Sequence, residues 1–467
     1  MATGFAFMGV REMAGLFARK EASPIEVLDD VIGRLSTLEP KLNMFACLDL
    51  EGARKLAQAS EQRMMRGERI GILDGIPTSI KDLIAMQGLP LRSGSKASAD
   101  TPAALDAPVT ERLRNAGAVL LGKSTTSEFG CKAVGDSPLT GITRNPWNLE
   151  MTPGGSSCGA AAAVASGLLP YTIGTDGGGS LRIPGALCGL VGFKAQFARI
   201  PIFPVSATPT LAHVGPLTRT CEDAAAVLSV ICGYDRRDPF TVAGPVPDFA
   251  PGQPAGRPLR IAWSPTLGYA RADAEVLSLC EKAAKSFEAL GHHVDVVDHV
   301  MDDPGDIWTA EFYAGVGTRL RATVETAPEL IDPAVLEVLK EAISQDMRSY
   351  YDRVFARYAF REKMREFFED YDLLLSPTLP TAAFPVGLNT PPGYEDRSIV
   401  SWVYYTYPFN LTGQPAASIP AGLTSDGLPV GLQIVAGAHD DALLFVAASA
   451  YEPTSEFTAQ AQWPTIV

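Results

Sequence analysis

Apolar residues recur at helical spacing from Val10 to Leu35: Val10, Met13, Leu16 and Phe17, then Val27, Leu28, Val31, Ile32 and Leu35. Ser23-Pro24-Ile25-Glu26 lies between the two groups. A Ser N-cap, a Pro as first helical residue and a Glu in the first turn predict a helix start there. Residues 50–66 predict a further amphipathic helix. The short run Ile76-Pro77-Thr78-Ser79-Ile80-Lys81 reads as a strand ending in a lysine, and Ala118 to Leu121 as a buried strand after a helix at 109–115. From 130 to 158 the chain is rich in Gly, Pro, Ser, Asn and Thr, which predicts a long ordered loop, and loops of that length are usually functional. An Ala-rich helix from Cys158 to Leu168 and a strand from Thr172 to Thr175 lead into a Gly-rich turn at 177–179.

The second half opens with a strand at 259–263, a helix at 272–290 and a strand at 293–298. Long helices at about 306–325 and 333–369 follow, then a buried strand from Asp372 to Leu375. Helices alternating with short buried strands predict an α/β fold with a mostly covered sheet. Residues 235–258, rich in Pro and Gly, read as a surface connection between two halves. No internal repeat is visible.

Composition narrows the function. The chain of 467 residues carries a formal charge of −14, and it shows no local basic patch. Such a field repels phosphate backbones and disfavours nucleic acid as a partner. The N-terminus lacks the charged start and apolar stretch of a secretory signal. The longest small-residue run, Ala160 to Tyr171, is too short for a membrane span. No membrane association is therefore expected, and a cytoplasmic location is. The seven cysteines form no CxxC pair and read as reduced thiols. The five histidines (213, 292, 293, 299, 439) form no HExxH or Cys/His cluster, so no metal is expected.

Three short motifs fail on context. Gly117 to Ser124 fits the P-loop pattern, but its four middle residues are apolar and read as the strand itself, which cannot wrap a phosphate. Ser93-Gly94-Ser95-Lys96 fits SxxK without the SDN and KTG elements that accompany it. Gly155-Ser156-Ser157-Cys158-Gly159 fits the nucleophile elbow, yet Thr152-Pro153-Gly154 before it is no strand. Any of the five histidines could in principle complete that rival triad.

A larger constellation lies in two neighbouring segments, Pro153 to Gly159 and Gly174-Thr175-Asp176-Gly177-Gly178-Gly179-Ser180-Leu181-Arg182-Ile183-Pro184. Consecutive glycines can turn successive amides toward one point, where an anion or a developing oxyanion binds. A serine at the end of such a nest is placed to attack the same carbonyl. Taken singly, each segment could be an ordinary glycine loop.

Together they resemble the amidase signature family. Residues 153–184 carry the resemblance. It is supported by Pro77 to Asp82, Gly122-Lys123-Ser124, Thr143 to Asn148, Gly189 to Lys194, Phe409 to Pro420 and Gly427 to Ile434. The pattern is closest to stand-alone bacterial amidases related to the glutamine-hydrolysing subunit of amidotransferases. The resemblance implies one large twisted mixed β-sheet covered by helices on both faces. It also implies a single domain over 1–467: a helical segment 1–70, a signature core 71–234, the connection 235–258, and a part 259–467 that completes fold and pocket. The family's Ser–Ser–Lys triad falls on Ser180 as acylated nucleophile, Ser156 as bridge on a cis peptide, and Lys81 as base. The amides of Gly177, Gly178, Gly179 and Ser180 would form the oxyanion hole, braced by Asp176 and Arg182. One departure is Cys158, where the family usually has Gly; it reads as a small buried thiol or a redox-sensitive residue.

Lys81 has a physical requirement to meet. A free lysine titrates near ~10.4, so its neutral form at pH 7 costs ~4–5 kcal/mol in water. Burial lowers that cost, and Ile76, Ile80, Leu83 and Ile84 suit burial. Asp82 would oppose it unless strand alternation turns Asp82 away. The family pocket maps here onto Phe129, Gly130, Cys131 and Lys132, and more weakly onto Trp402, Tyr404 and Tyr405. These aromatics point to an apolar or aryl small-molecule amide, with a carbamate or an ester as the alternative. A further alternative is the glutamine-hydrolysing subunit of an amidotransferase. The expected partners are substrate and water, without cofactor, in a monomer or homodimer.

Overall fold

The computed structural model describes residues 4–250, 255–464 and 466. Helices α1 (Val10–Arg19) and α2 (Pro24–Leu42) are divided at Ser23. Its hydroxyl accepts the Glu26 amide, as an N-cap expected from the sequence would, and Glu26 reciprocates by accepting the Ser23 amide. Then come β1 (Phe45–Leu48), α3 (Leu50–Arg66), β2 (Pro77–Lys81), α4 (Pro108–Asn115) and β3 (Val119–Ser124). The loop that follows holds a small pair, β4 (Asp136–Ser137) and β5 (Gly141–Ile142). Next are α5 (Cys158–Ala165), β6 (Tyr171–Asp176), α6 (Arg182–Cys188), β7 (Val191–Lys194), β8 (His213–Thr218) and α7 (Cys221–Ile231).

The second half contributes β9 (Arg260–Trp263), α8 (Ala274–Ala289), β10 (His293–Val296), α9 (Gly305–Thr326), α10 (Pro333–Ser344), α11 (Met347–Asp370) and β11 (Leu373–Pro377). After it come α12 (Pro408–Thr412), β12 (Ala416–Leu423), β13 (Pro429–Ala436), α13 (Asp441–Tyr451) and α14 (Glu456–Gln460). The single helix expected over 333–369 is two. Gln345 takes extended backbone (φ −64°, ψ 142°), and Asp346 caps α11 by accepting the Ser349 amide at 2.8 Å. An aspartate's own bond to nearby backbone outcompetes helix continuation at that point.

Eleven strands form one mixed sheet in the order β1-β3-β2-β6-β8-β7-β12-β13-β11-β9-β10. β2 runs parallel to β3 and β6, and β9 parallel to β10 and β11; the other neighbours are antiparallel. β7 pairs with β12 from Lys194 opposite Ala416 to Gly192 opposite Ser418, so strands from both halves share the sheet. The two-residue period shows directly in the burial. Ala118, Leu120, Ile80, Leu373 and Leu375 join the core under α4, α7 and α8. Val119 and Leu121 pack under α2 and α3, and Leu374 packs under α9–α11 on the opposite face. Both faces are covered, which explains the near-continuous apolar strands.

Of the Pro/Gly connection, residues 251–254 lie outside the described residues. Phe249 is no surface residue: it is buried, with its ring against Phe193 and Phe445. No described helix is long and apolar enough to cross a membrane. Within Gly117 to Ser124, the stretch Val119–Ser124 is strand β3, not a phosphate loop.

Candidate active site

Lys81 is the last residue of β2. Ile80 faces the α7–α8 side, so alternation turns Lys81 to the opposite face, where α5 begins. Its Nζ lies 2.7 Å from Ser156 Oγ, 2.9 Å from Ser157 Oγ and 2.8 Å from Thr175 Oγ1. Ser156 Oγ in turn lies 2.9 Å from Ser180 Oγ. The peptide Gly155–Ser156 is cis. Burial pulls the Lys81 pKa down to about 7, against the opposing pull of Cys158 and Asp176. Asp82 does turn away: it pairs with buried Lys123 at 3.1 Å and accepts the amides of Arg92 and Gly94.

The three side chains arrive from separate elements. Ser156 precedes α5, whose small residues permit close approach. A Cβ on Gly159 would collide with the carbonyl oxygen of Met44 and lie 2.6 Å from the Thr125 amide. Cys158 is buried, with Sγ 3.6 Å from Thr125 Oγ1. Ser180 ends the turn between β6 and α6. Burial alone would raise the Asp176 pKa. Arg182, however, donates to both its carboxylate oxygens (2.9 and 3.0 Å) and holds it below the usual carboxylate range. Arg182 also donates to Gln433, Asn410 and the Thr406 carbonyl, which ties this turn to the second half.

The glycine turn departs from four converging amides. The Gly179 amide is engaged by Asp176 Oδ1 at 2.8 Å and is not free for a ligand. Among the described residues, the amides of Gly177, Gly178 and Ser180 donate to no protein acceptor. Gly177 lies on the wall of the adjoining cavity.

That cavity, of about 300 Å³, has Ser156 and Ser180 in its lining. Its other walls include Leu83, Phe129, Phe203, Val205, Phe312 and Leu320, and among the described lining residues Arg319 is the single charged one. Of the expected pocket residues, Phe129 and Gly130 line it and Cys131, Lys132 and Trp402 do not. Phe129 (φ 48°) and Gly130 (φ 73°) are consecutive left-handed residues, and they turn the following chain into the protein. Cys131 is 1% exposed, its thiol pKa is pushed up by burial, and its carbonyl accepts the Tyr313 hydroxyl. Lys132 is paired with Asp136 and Asp332, the latter at 2.8 Å. Trp402 is wholly buried against Phe384 and donates to the Asn389 carbonyl. Tyr404 and Tyr405 likewise spend their hydroxyls on the carbonyls of Arg271 and Pro265.

The segment 201–208 and the face of α9 bearing Phe312, Val316, Arg319 and Leu320 escaped the sequence reading. An apolar stripe at helical spacing reads the same whether it meets a core or a cavity. The nucleophile-elbow rival fails. Its nucleophile would be Ser157, whose hydroxyl meets Lys81 Nζ at 2.9 Å and the backbone of Thr175 and, among the described residues, no histidine. His213 makes its contacts to the carbonyls of Leu211 and Asp176 and to Lys194.

A family model described as Amidase matches residues 26–445. The chain is 37% identical to the acylamidase of Rhodococcus erythropolis over 458 residues, 96% of this chain and 95% of that protein. It is 33% identical to a glutamyl-tRNA(Gln) amidotransferase subunit from Geobacillus thermodenitrificans (strain NG80-2), over 97% of this chain and 98% of that one. A bacterial aryl acylamidase of the amidase signature family superimposes with a TM-score of 0.90 at 30% identity, covering 97% of this chain and 98% of its own. A 6-aminohexanoate cyclic dimer hydrolase superimposes at 0.88 with 29% identity, covering 98% and 99%.

Proposed function

The chain belongs to the amidase signature family and is an amidase, a hydrolase of carbon–nitrogen bonds; from that premise we propose that it cleaves an apolar or aryl small-molecule amide through an acyl-enzyme on Ser180. The observation that carries this reading is the continuous relay Lys81–Ser156–Ser180, 2.7 and 2.9 Å long, ending at an apolar cavity. Neutral Lys81 accepts the Ser156 proton as Ser156 accepts that of Ser180. Ser180 Oγ adds to the carbonyl carbon. The oxyanion meets the amides of Gly178 and Ser180. The proton returns through Ser156 to the leaving nitrogen, the C–N bond breaks and the amine departs. Water then repeats the relay on the ester and releases the acid.

The apolar walls support an acyl group without charge, as does the likeness to an aryl acylamidase. The kinship to amidotransferase subunits raises free glutamine as a rival. Against it, no acidic residue is among the described lining residues, so an α-ammonium group would lose its hydration without a partner. Carbamates and esters present the same electrophilic carbon to the same nucleophile. The test is labelling by a fluorophosphonate, read by intact mass, with a survey of aryl amides, aliphatic amides, carbamates and esters. We expect one adduct, lost in Ser180→Ala and retained in Ser157→Ala, and fastest turnover on aryl amides. Label that survives Ser180→Ala, or hydrolysis of glutamine alone, overturns the reading.

A further inference from the structure

The free amides of Gly178 and Ser180 face the reaction only if the peptide planes before them are held, and a run of glycines cannot hold itself. In a trans peptide the carbonyl and the following amide point opposite ways. Fixing the Gly177 carbonyl from behind therefore aims the Gly178 amide forward. The next peptide is clamped at both ends, its Gly178 carbonyl by Thr406 and its Gly179 amide by Asp176, which fixes the plane between the two free amides. The Gly177 carbonyl accepts Trp308 Nε1 at 2.8 Å, and the Gly178 carbonyl accepts Thr406 Oγ1 at 2.6 Å. The Gly179 carbonyl accepts the Ile183 amide within the start of α6. Both side-chain donors come from the second half of the chain, Trp308 from α9 and Thr406 from the residues before α12, and both are buried.

The seat is close. A Cβ on Gly178 would lie 2.6 Å from Trp308 Cζ2, and one on Gly177 would lie 2.8 Å from Phe312 Cε2. Trp308 is itself clamped, stacked on Phe312 at 4.6 Å and on Tyr407 at 5.7 Å between ring centroids. Phe312 lines the substrate cavity. The helix that walls the acyl pocket thus also sets the peptide behind the oxyanion.

We propose that Trp308 and Thr406 are positioning residues for the oxyanion site: Trp308 aims the Gly178 amide through the Gly177 carbonyl, and Thr406, through the Gly178 carbonyl, fixes the peptide that lies between the Gly178 and Ser180 amides. The proposal rests on the acyl-enzyme reading of Ser180. A hydrogen bond made to the peptide in both ground and transition states leaves substrate affinity alone. What it secures is the aim of a donor whose interaction strengthens as the oxyanion forms. Its loss therefore belongs in kcat.

Trp308→Phe removes the N–H and keeps a ring in the stack; Thr406→Val removes the hydroxyl at nearly constant volume; Thr406→Ser keeps it. Directly lost oxyanion donors cost ~10²–10³ in kcat. For these indirect braces we expect a kcat fall of about 10- to 100-fold on an aryl amide in Trp308→Phe and Thr406→Val. KM should stay within about twofold, the midpoint of the pH–rate profile should not move, and Thr406→Ser should recover most of the loss. A merely structural role would shift melting temperature or KM and leave that pattern absent. Should Trp308→Phe fold poorly, the Thr406 pair decides alone. Wild-type kcat in Thr406→Val, a loss confined to KM, or no recovery in Thr406→Ser overturns the proposal. Failure of the wild-type protein to label on Ser180 is the separate result that removes the reading beneath it.

Discussion

Lys81 shows how one side chain changes character with its surroundings. Beside Asp82 in the sequence it looks like a surface lysine; in the fold it is wholly buried and Asp82 answers Lys123 instead. Burial disfavours the ammonium, so the neutral base is populated from about pH 7 upward. The sign follows: activity needs the deprotonated amine, so kcat/KM on an aryl amide should rise through about pH 7 and level off above it. A profile flat from pH 6 to 9, with chemistry rate-limiting, would contradict the role. Lys81→Ala should lower kcat by about 10²–10⁴-fold, the usual worth of a positioned base, and abolish the rising limb. The proposed relay was legible because its motifs recur at the family's spacing. The depressed pKa was not, because desolvation depends on what packs around Nζ from other parts of the chain.

At the scale of elements, periodicity served well where one face is buried and poorly where a side chain chooses the outcome. The cap at Ser23 and the span of α3 follow from local pattern. The break between α10 and α11 hangs on Asp346 accepting one backbone amide. Helix α5 carries a sharper constraint. Gly159 sits where a side chain would meet the backbone of residues 44 and 125, so Gly159→Ala must push α5 away from β3. Overpacking of this kind typically costs about 1–3 kcal/mol, and here it also displaces Ser156, three residues earlier. We expect a lower urea midpoint together with reduced labelling of Ser180. A variant as stable and as reactive as the parent would show that α5 has room to move. The pocket expectation failed at this scale too, since two left-handed residues at 129 and 130 redirect the chain before Cys131 and Lys132.

At the scale of the molecule, the β7–β12 pairing and the Arg182 fork join the two halves around the site. Arg182 is fully buried and donates to four groups, one of them Asp176, whose carboxylate holds the Gly179 amide. Arg182→Lys keeps the charge but cannot reproduce a planar fork. Each buried acceptor it leaves unpaired costs about 1–3 kcal/mol, so chemical denaturation should show a large loss of stability within a single transition. Two separated transitions would mean that the halves unfold independently. Alternation of helix and strand, the covered-sheet pattern and the motif positions of Lys81, Ser156 and Ser180 were legible in the sequence alone, because each rests on local periodicity or motif spacing. The depressed base, the occupied Gly179 amide, the withdrawal of Cys131, Lys132 and Trp402 from the pocket, and its walls from 201–208 and α9 were decided only by tertiary structure. Each of these depends on which distant groups share one desolvated volume, and sequence order does not encode that proximity.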